Sequence, residues 1–367
     1  MRAVILETLD AIGPLAADWE GLARRSPFAT PAFCLSWLAA HREQVSPFVI
    51  ALFENDRLVG VAPWAIARSP RGLRGVTGIG GPDIPYHDPV LPATPDPALD
   101  AIVGCMRRAS RAWDRLSLCL RSGPGLALVE RLRPLGWTML ERLPHTVIRF
   151  EADWEDYWEG RSKHFRNNLR RNQQKLSRLP HRYVSADAHN LESMLERLFT
   201  LHRDRWHAVR DWRPFYASVR AFAAHALSRG ELNLYGLEID GELAALDLWM
   251  RHEDRAYGLM RCFDPRYATL GVGFLLSEYL FAQLQRSGCR EIDCGPGEAD
   301  WKARFQTDVA WTVSLRLARF GSPPALAHLA WEDHLKPWLL RRGPALVAPY
   351  RMLKRAFVPA PGLEAQP

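Results

Sequence analysis

The stretch DCGPGEADWKARF, residues 293–305, sets a lysine and three acids beside a Gly-Pro-Gly turn. Lys302 follows Trp301, whose ring face can hold a cation. A cation in that position would stabilise the oxyanion of an acyl carbonyl or hold a phosphate. Asp293 would orient Lys302 or act as a base. The plainer readings, a surface lysine and a turn-capping aspartate, stay open on these residues alone.

A second group is LGVGFLL, residues 270–276. Its glycines would let backbone N–H groups approach a phosphate, and a helix starting there would add positive potential. Leu270, Gly271, Val272, Gly273 and Phe274 are therefore candidate contacts for a pyrophosphate. The dinucleotide-binding fingerprint is not met, since its third glycine and distant acid are not in place. A third group is Tyr86-His87-Asp88-Pro89. His87 and Asp88 could supply a general base, although Asp before Pro is also a common turn opener. There is no nucleophile elbow, no Walker loop and no zinc-ligand cluster.

The elements that must position these groups read as alternating strands and helices. Apolar runs on either side of Asn55-Asp56 predict a hairpin, and so do those around Asp240-Gly241. FVIALFENDRLVGVAPW ends at Trp64 and NLYGLEIDGELAALDLW at Trp249, an offset of 185 residues that we read as an internal duplication. Helices are expected over 191–207 and 215–228, a strand over RAYGLMRCFD, a long helix after the glycine loop and a strand at REIDCG. Between the halves, residues 161–182 hold eight Lys or Arg and no acid. There Phe165, Leu169, Leu176 and Leu179 form one helical stripe, which predicts a helix with a basic outer face. That face is either solvated or docks a phosphate, an anionic glycan or a membrane surface. In the tail, helices broken at Pro337, Pro344 and Pro349 are expected. Trp331 and Trp338 lie beside basic residues and would suit a membrane surface or a bland packed helix. The last eight residues read as disordered.

Composition narrows the classes. A net charge of +7 and a pI near 9.2 favour anionic partners. The six cysteines form no Cys-x-x-Cys pair, and Cys119 and Cys294 lie in or beside strand-like segments, as structural thiols of a reducing cytoplasm would. No signal peptide or apolar spanning segment is expected.

The run LGVGFLL, the helix after it and EIDCGPGEADWKARF resemble the CelD/BcsL-type acetyltransferases of the GNAT superfamily, with the domain also called BioF2-like. FRNNLRRNQQKL, LHRDRW and RCFDPRYATLGVG agree in order and spacing. The resemblance implies an α/β (α+β) fold of two tandem GNAT-like domains, each a mixed, mostly antiparallel sheet flanked by helices. The expected divisions are residues 1–155, a basic connecting helix over 156–185, a donor-binding domain over 186–320 and a basic tail over 321–367. It implies acyl transfer from acetyl-CoA or another acyl-CoA to an amine or hydroxyl, with no metal. The family name suggests a sugar or polysaccharide-precursor acceptor.

The related Fem-type peptidyltransferases use aminoacyl-tRNA and place a lysine at the transfer site within an aromatic-Lys-x-x-Phe segment. Trp301-Lys302-Ala303-Arg304-Phe305 is similar, and PYHDPV resembles their segment with a substrate-facing aspartate, here Asp88. Lys302, Asp293 and Asp88 are thus the catalytic candidates. Arg266 joins the glycine loop as a cofactor contact, because the usual loop's Gln or Arg is replaced by Ala268. Tyr86, His87, Trp301, Arg304 and Arg261 are candidate substrate contacts. Aminoacyl transfer from tRNA and a catalytically silent binding module in a glycan-synthesis complex are the alternatives. A cytoplasmic location is expected, with peripheral contact at the inner face of the membrane as an option.

Overall fold

The structure, a computed structural model, describes residues 1–335 and 338, apart from 24–25, 70–71, 85, 122, 152, 207–210 and 298. The first half runs β1 (Arg2–Leu6), α1 (Leu9–Ile12), α2 (Ala16–Leu22), α3 (Pro31–Ala40), β2 (Val45–Pro47), β3 (Val49–Glu54), β4 (Arg57–Ala62), β5 (Trp64–Arg68) and β6 (Arg74–Gly78). It ends with α4 (Asp96–Arg108), β7 (Arg115–Arg121), α5 (Pro124–Leu132) and the long β8 (Gly136–Arg149). Two helices follow, α6 (Trp154–Glu159) and α7 (Lys163–Leu176). The second half repeats the plan with β9 (His181–Ser185), α8 (Leu191–Trp206), α9 (Arg213–Ser228), β10 (Leu232–Ile239), β11 (Glu242–His252), β12 (Arg255–Phe263), α10 (Val272–Arg286), β13 (Glu291–Pro296), α11 (Asp300–Phe305) and β14 (Asp308–Arg319). Then comes α12 (Pro323–Ala330). The proline breaks expected at Pro337, Pro344 and Pro349 lie outside the described residues.

The two hairpins match in detail. Asn55 and Asp56 turn with φ of 49° and 59°, and Asp240 and Gly241 with 52° and 82°, the doubly left-handed geometry that suits a tight hairpin. The ladder shifts register between Leu52 and Phe53 in one and between Leu237 and Glu238 in the other. Turn and shift are each displaced by the same 185 residues that separate the buried Trp64 and Trp249.

The halves do not keep separate sheets. Eleven strands form one mixed sheet in the order β2-β5-β6-β7-β14-β8-β13-β12-β11-β10-β9, and β1-β3-β4 form a small sheet beside it. The last strand of each half is exchanged: β14 pairs with β7, and β8 pairs with β13. Between them β14 and β8 pair along the whole of β14. The order follows from burial, since inward residues of β14 such as Leu315 and Leu317 complete the core under α4 and α5.

Helices cover both faces. Facing helices α3 and α9 pack across the halves, with the rings of Phe33 and Phe222 5.3 Å apart. The basic α7 buries Phe165, Leu169 and Leu176 against α10, and Leu179 is half-buried beside them. Its polar face stays exposed: among the described residues Lys163, Arg170, Arg171, Lys175 and Arg178 have no acidic partner. The six cysteines are buried and unbridged. Among the described residues no helix is long and apolar enough to cross a membrane.

Candidate active site

The site begins where two strands part. β12 and β13 run parallel and pair only over Arg255–Tyr257 and Glu291–Asp293. On its other side β12 carries an extra residue, Leu259, between the pairs Trp249–Gly258 and Leu248–Met260. The bulge bends β12 away, so a wedge opens between it and β13.

At the open end lies the glycine loop. Asp264 caps the turn Pro265–Leu270, accepting the Arg266 N–H at 2.9 Å, and also takes the Arg197 guanidinium at 2.8 Å. The Arg266 side chain, ahead of the other donors, holds Asp264 down at about 2. Gly271 then stands at φ 63°, and an added Cβ there would meet Asn172 Nδ2 at 2.5 Å. Only glycine meets both demands. The first N–H groups of α10, on Val272 and Gly273, have no helical carbonyl in front of them. They face a cavity of about 480 Å³ lined also by Arg205, Arg261, Phe263, Ala268, Phe274, Asp300 and Trp301.

Arg261 is fixed on three sides. Its Nε lies 3.3 Å from Asp247 Oδ1, its Nη2 donates to the Gly273 carbonyl, and its guanidinium lies 4.0 Å over Trp301. Its Nη1 is buried with no hydrogen-bond acceptor among the described residues. Such a donor is costly unless a ligand completes it. Asp247 is fully buried, accepts Ser277 Oγ at 3.0 Å, and is pushed by burial up to about 6.

Several expected residues take other places. Arg266 pairs with Asp264 and Glu242, and neither it nor Leu270 lines the cavity. Lys302 does not rest on Trp301. In the helix α11 successive side chains point about 100° apart, so Trp301 takes Arg261 while Lys302 reaches back. Its ammonium donates to the carbonyls of Gly295, Pro296 and Gly297 at 3.0, 2.9 and 3.3 Å. Burial lowers its pKa. Lys302 thereby clamps the glycine turn. Arg304 is exposed, over the rings of Phe165 and Phe274.

Asp293 is the last residue of β13 that pairs with β12, and it joins a buried network at the junction of the halves. Its Oδ1 accepts the Gly295 N–H at 2.8 Å and lies 3.2 Å from His145 Nδ1, which is also 3.2 Å from Tyr86 Oη. Burial alone would raise Asp293, but its donors, His145 first, hold it below the usual carboxylate value. A tenth of its side chain remains exposed. Burial, then the Asp293 charge, raises Tyr86 well above its ordinary value, so it stays protonated. Asp88 takes the Arg121 N–H at 2.9 Å and its Nε at 3.2 Å, and Arg121 Nη1 reaches Tyr257 Oη at 3.3 Å.

His87 is set apart from this group. Its Nδ1 accepts the Cys119 N–H and its Nε2 donates to the Gly81 carbonyl, each at 3.0 Å, and burial lowers it to about 4. It is neutral and its ring nitrogens are both engaged.

His145, Arg121, Tyr257 and Asp247 had no place in the sequence reading. Asp247 had a signal, an acid inside the apolar run AALDLWM, because an acid is buried only with partners. His145, in the strand TVIRF's approach, had none.

Residues 163–303 match the family described as an acetyltransferase (GNAT) domain. Among solved structures, FemX superposes with a TM-score of 0.63 at 10% identity, over 89% of this chain and 99% of that one. L-PGS from Bacillus licheniformis gives 0.55 at 12% identity, over 87% and 95%. The C-terminal DUF2156 domain of an Agrobacterium fabrum protein assigned as a lysylphosphatidylglycerol synthetase gives 0.55 at 12%, over 86% and 95%. No curated protein matches the chain in sequence. Residues 163–303 are thus similar to a GNAT acetyltransferase domain, and the fold is shared, nearly end to end, with FemX.

Proposed function

We propose that the protein transfers an acyl group, acetyl first among candidates, from acyl-CoA to an amine or hydroxyl. The observation that carries this is the cavity at Gly271–Phe274, lined by Arg261 and by the residues that open α10. That is a seat for a pyrophosphate. From Arg261 back to Tyr257, where the strands fork, is four residues, or about 13 Å at ordinary strand rise. An extended pantetheine arm would span that wedge and bring its thioester to the fork.

There the acceptor's lone pair would attack the thioester carbonyl. The C–S bond would break, and the CoA thiolate would leave and take up a proton. Backbone N–H groups freed where β12 and β13 separate would stabilise the oxyanion. Asp293, ionised and slightly exposed at the fork, would accept the acceptor's proton directly or through water. Lys302 would serve by holding residues 295–297 in shape, and Asp88 by holding Arg121. The resemblance to CelD/BcsL-type enzymes supports a sugar or polysaccharide-precursor acceptor. Supply of acyl-CoA supports a cytoplasmic location.

The test is the melting temperature with acetyl-CoA, longer acyl-CoAs and free CoA, repeated on Gly273→Trp. Ligand at 100 times its dissociation constant adds about 2.7 kcal/mol. A shift in the wild type that the variant loses supports the proposal. No shift with any CoA contradicts it.

A second reading, aminoacyl transfer from tRNA, is favoured by one observation. The exposed basic face of α7, which has no acidic partner among the described residues, adjoins the glycine loop through Asn172. It requires RNA binding that weakens steeply with salt and that charge reversal at Arg170 and Arg171 abolishes.

A further inference from the structure

A second cavity, of about 430 Å³, adjoins the first and shares Asp300 with it. It is lined by Gly160, Arg161, Ser162, Asp300, Ala303 and Arg304. The ridge between the two is made by Asp300 and Phe274, since Phe274 walls the first cavity and carries Arg304 5.8 Å over its ring. Arg304 is exposed and has no acidic partner among the described residues. Arg161 lies over the Tyr157 ring and donates through Nη1 to the carbonyls of Phe305 and Gln306. Its Nε–H is buried and meets no acceptor among the described residues.

The charges alternate along this path. Arg205 and Arg261 serve one cavity, Asp300 stands on the ridge, and Arg161 and Arg304 serve the other. A continuous polyanion would set a charge against Asp300. A ligand with two separated anionic groups and an uncharged hydrogen-bond donor beside them avoids that repulsion. A nucleotide with a 5′-pyrophosphate and a phosphate monoester elsewhere on its ribose has this pattern, because the remaining hydroxyl can donate to a carboxylate. The planar guanidinium of Arg304 suits a terminal phosphate, which accepts two parallel N–H bonds.

We propose that the second cavity is a phosphate-monoester subsite of the donor, so that the protein selects nucleotides phosphorylated on the ribose. This rests on the acyl-CoA reading above and names what that site discriminates. The sources of the phosphate are separable, because CoA and 3′-dephospho-CoA differ by that group alone.

The experiment is calorimetric titration of the full chain with CoA and with 3′-dephospho-CoA, on wild type, Arg304→Ala, Arg304→Lys and Gly273→Trp. Melting curves check that each variant is folded. Wild type should bind CoA about tenfold more tightly than dephospho-CoA, the scale of one charge-assisted contact. Arg304→Ala should erase that difference by weakening CoA alone, and Arg304→Lys should keep part of it. Equal binding of the two by wild type, with both lost in Gly273→Trp, would overturn the subsite while leaving the donor reading intact. Equal weakening of both ligands by Arg304→Ala would also overturn it. Binding of neither ligand by wild type would remove the donor reading and the subsite together.

Discussion

The imidazole of His145 and the carboxylate of Asp293 lie 3.2 Å apart, although 148 residues separate them in the chain. They meet because β8, the last strand of the first half, lies beside β13 of the second. The contact belongs to a longer line. Cys119 Sγ donates to Thr312 Oγ1 at 3.3 Å, and Thr312 Oγ1 lies 2.9 Å from His145 Nε2. The four residues sit on β7, β14, β8 and β13, which are neighbours in the sheet. A hydrogen-bonded line thus crosses from one half to the other through the exchanged strands, and Asp293 is its end at the fork.

Replacing His145 with leucine would strand Asp293 and Thr312 in the interior. Breaking a buried pair from one side costs about 3 kcal/mol. The sign with pH follows from the lowered Asp293. A depressed carboxylate stabilises the fold above the unfolded value of about 3.9 and loses that contribution as pH falls through the folded value. Chemical denaturation should therefore show a gap between wild type and His145→Leu that is full at pH 7 and narrows below about pH 4. A gap independent of pH would mean that lost packing, not the Asp293 contact, sets the cost.

Asp247 gives the opposite sign. Burial raises it to about 6, so its ionised form costs stability and its neutral form dominates below that pH. When it is neutral, Arg261 loses a competing anion and the cavity becomes more positive. Affinity for 3′-dephospho-CoA, whose pyrophosphate does not titrate near pH 6, should rise as pH falls from 7.5 to 5.5. Asp247→Asn should bind with little pH dependence. Titration calorimetry at the two pH values decides this, and a pH-dependent Asp247→Asn would assign the effect to another group.

Lys302→Met separates two roles for that residue. As a clamp on three carbonyls, its loss should cost about 2 kcal/mol and lower the melting temperature together with donor affinity. Lys302→Arg should not restore the loop, because a planar fork cannot replace a compact ammonium. A variant of unchanged melting temperature and donor affinity that transfers no acyl group would instead place the ammonium at the reacting carbonyl.

Gly271→Ala carries two penalties, a left-handed backbone and a contact with Asn172. The backbone term costs about 1–2 kcal/mol, and the added Asn172→Ala change should relieve only the contact. The double variant should therefore recover part of the stability lost by the single one, measured by denaturant unfolding. Full recovery would show that φ at residue 271 carries little strain.

The hairpins were legible because Asn55-Asp56 and Asp240-Gly241 dictate their turns locally. The glycine loop and the α7 stripe were legible for the same reason: a spacing within one element encodes each. The strand exchange was not, because nothing near β14 states that it pairs with β7 rather than with its own half's strands. His145 was hidden with it, since its partners come from β13 and β14 and from Tyr86. The pairing of Trp301 with Arg261 was also out of reach, because it joins α11 to β12 across the wedge. Sequence proximity instead suggested Lys302.

The donor site is tested most directly by a crystal structure with CoA bound. The pyrophosphate should lie within hydrogen-bonding distance of the Val272 and Gly273 N–H groups and of Arg261 Nη1, with the pantetheine arm running between β12 and β13 to the fork at Tyr257 and Asp293. CoA bound elsewhere, or a wedge still empty at saturating CoA, would contradict the account.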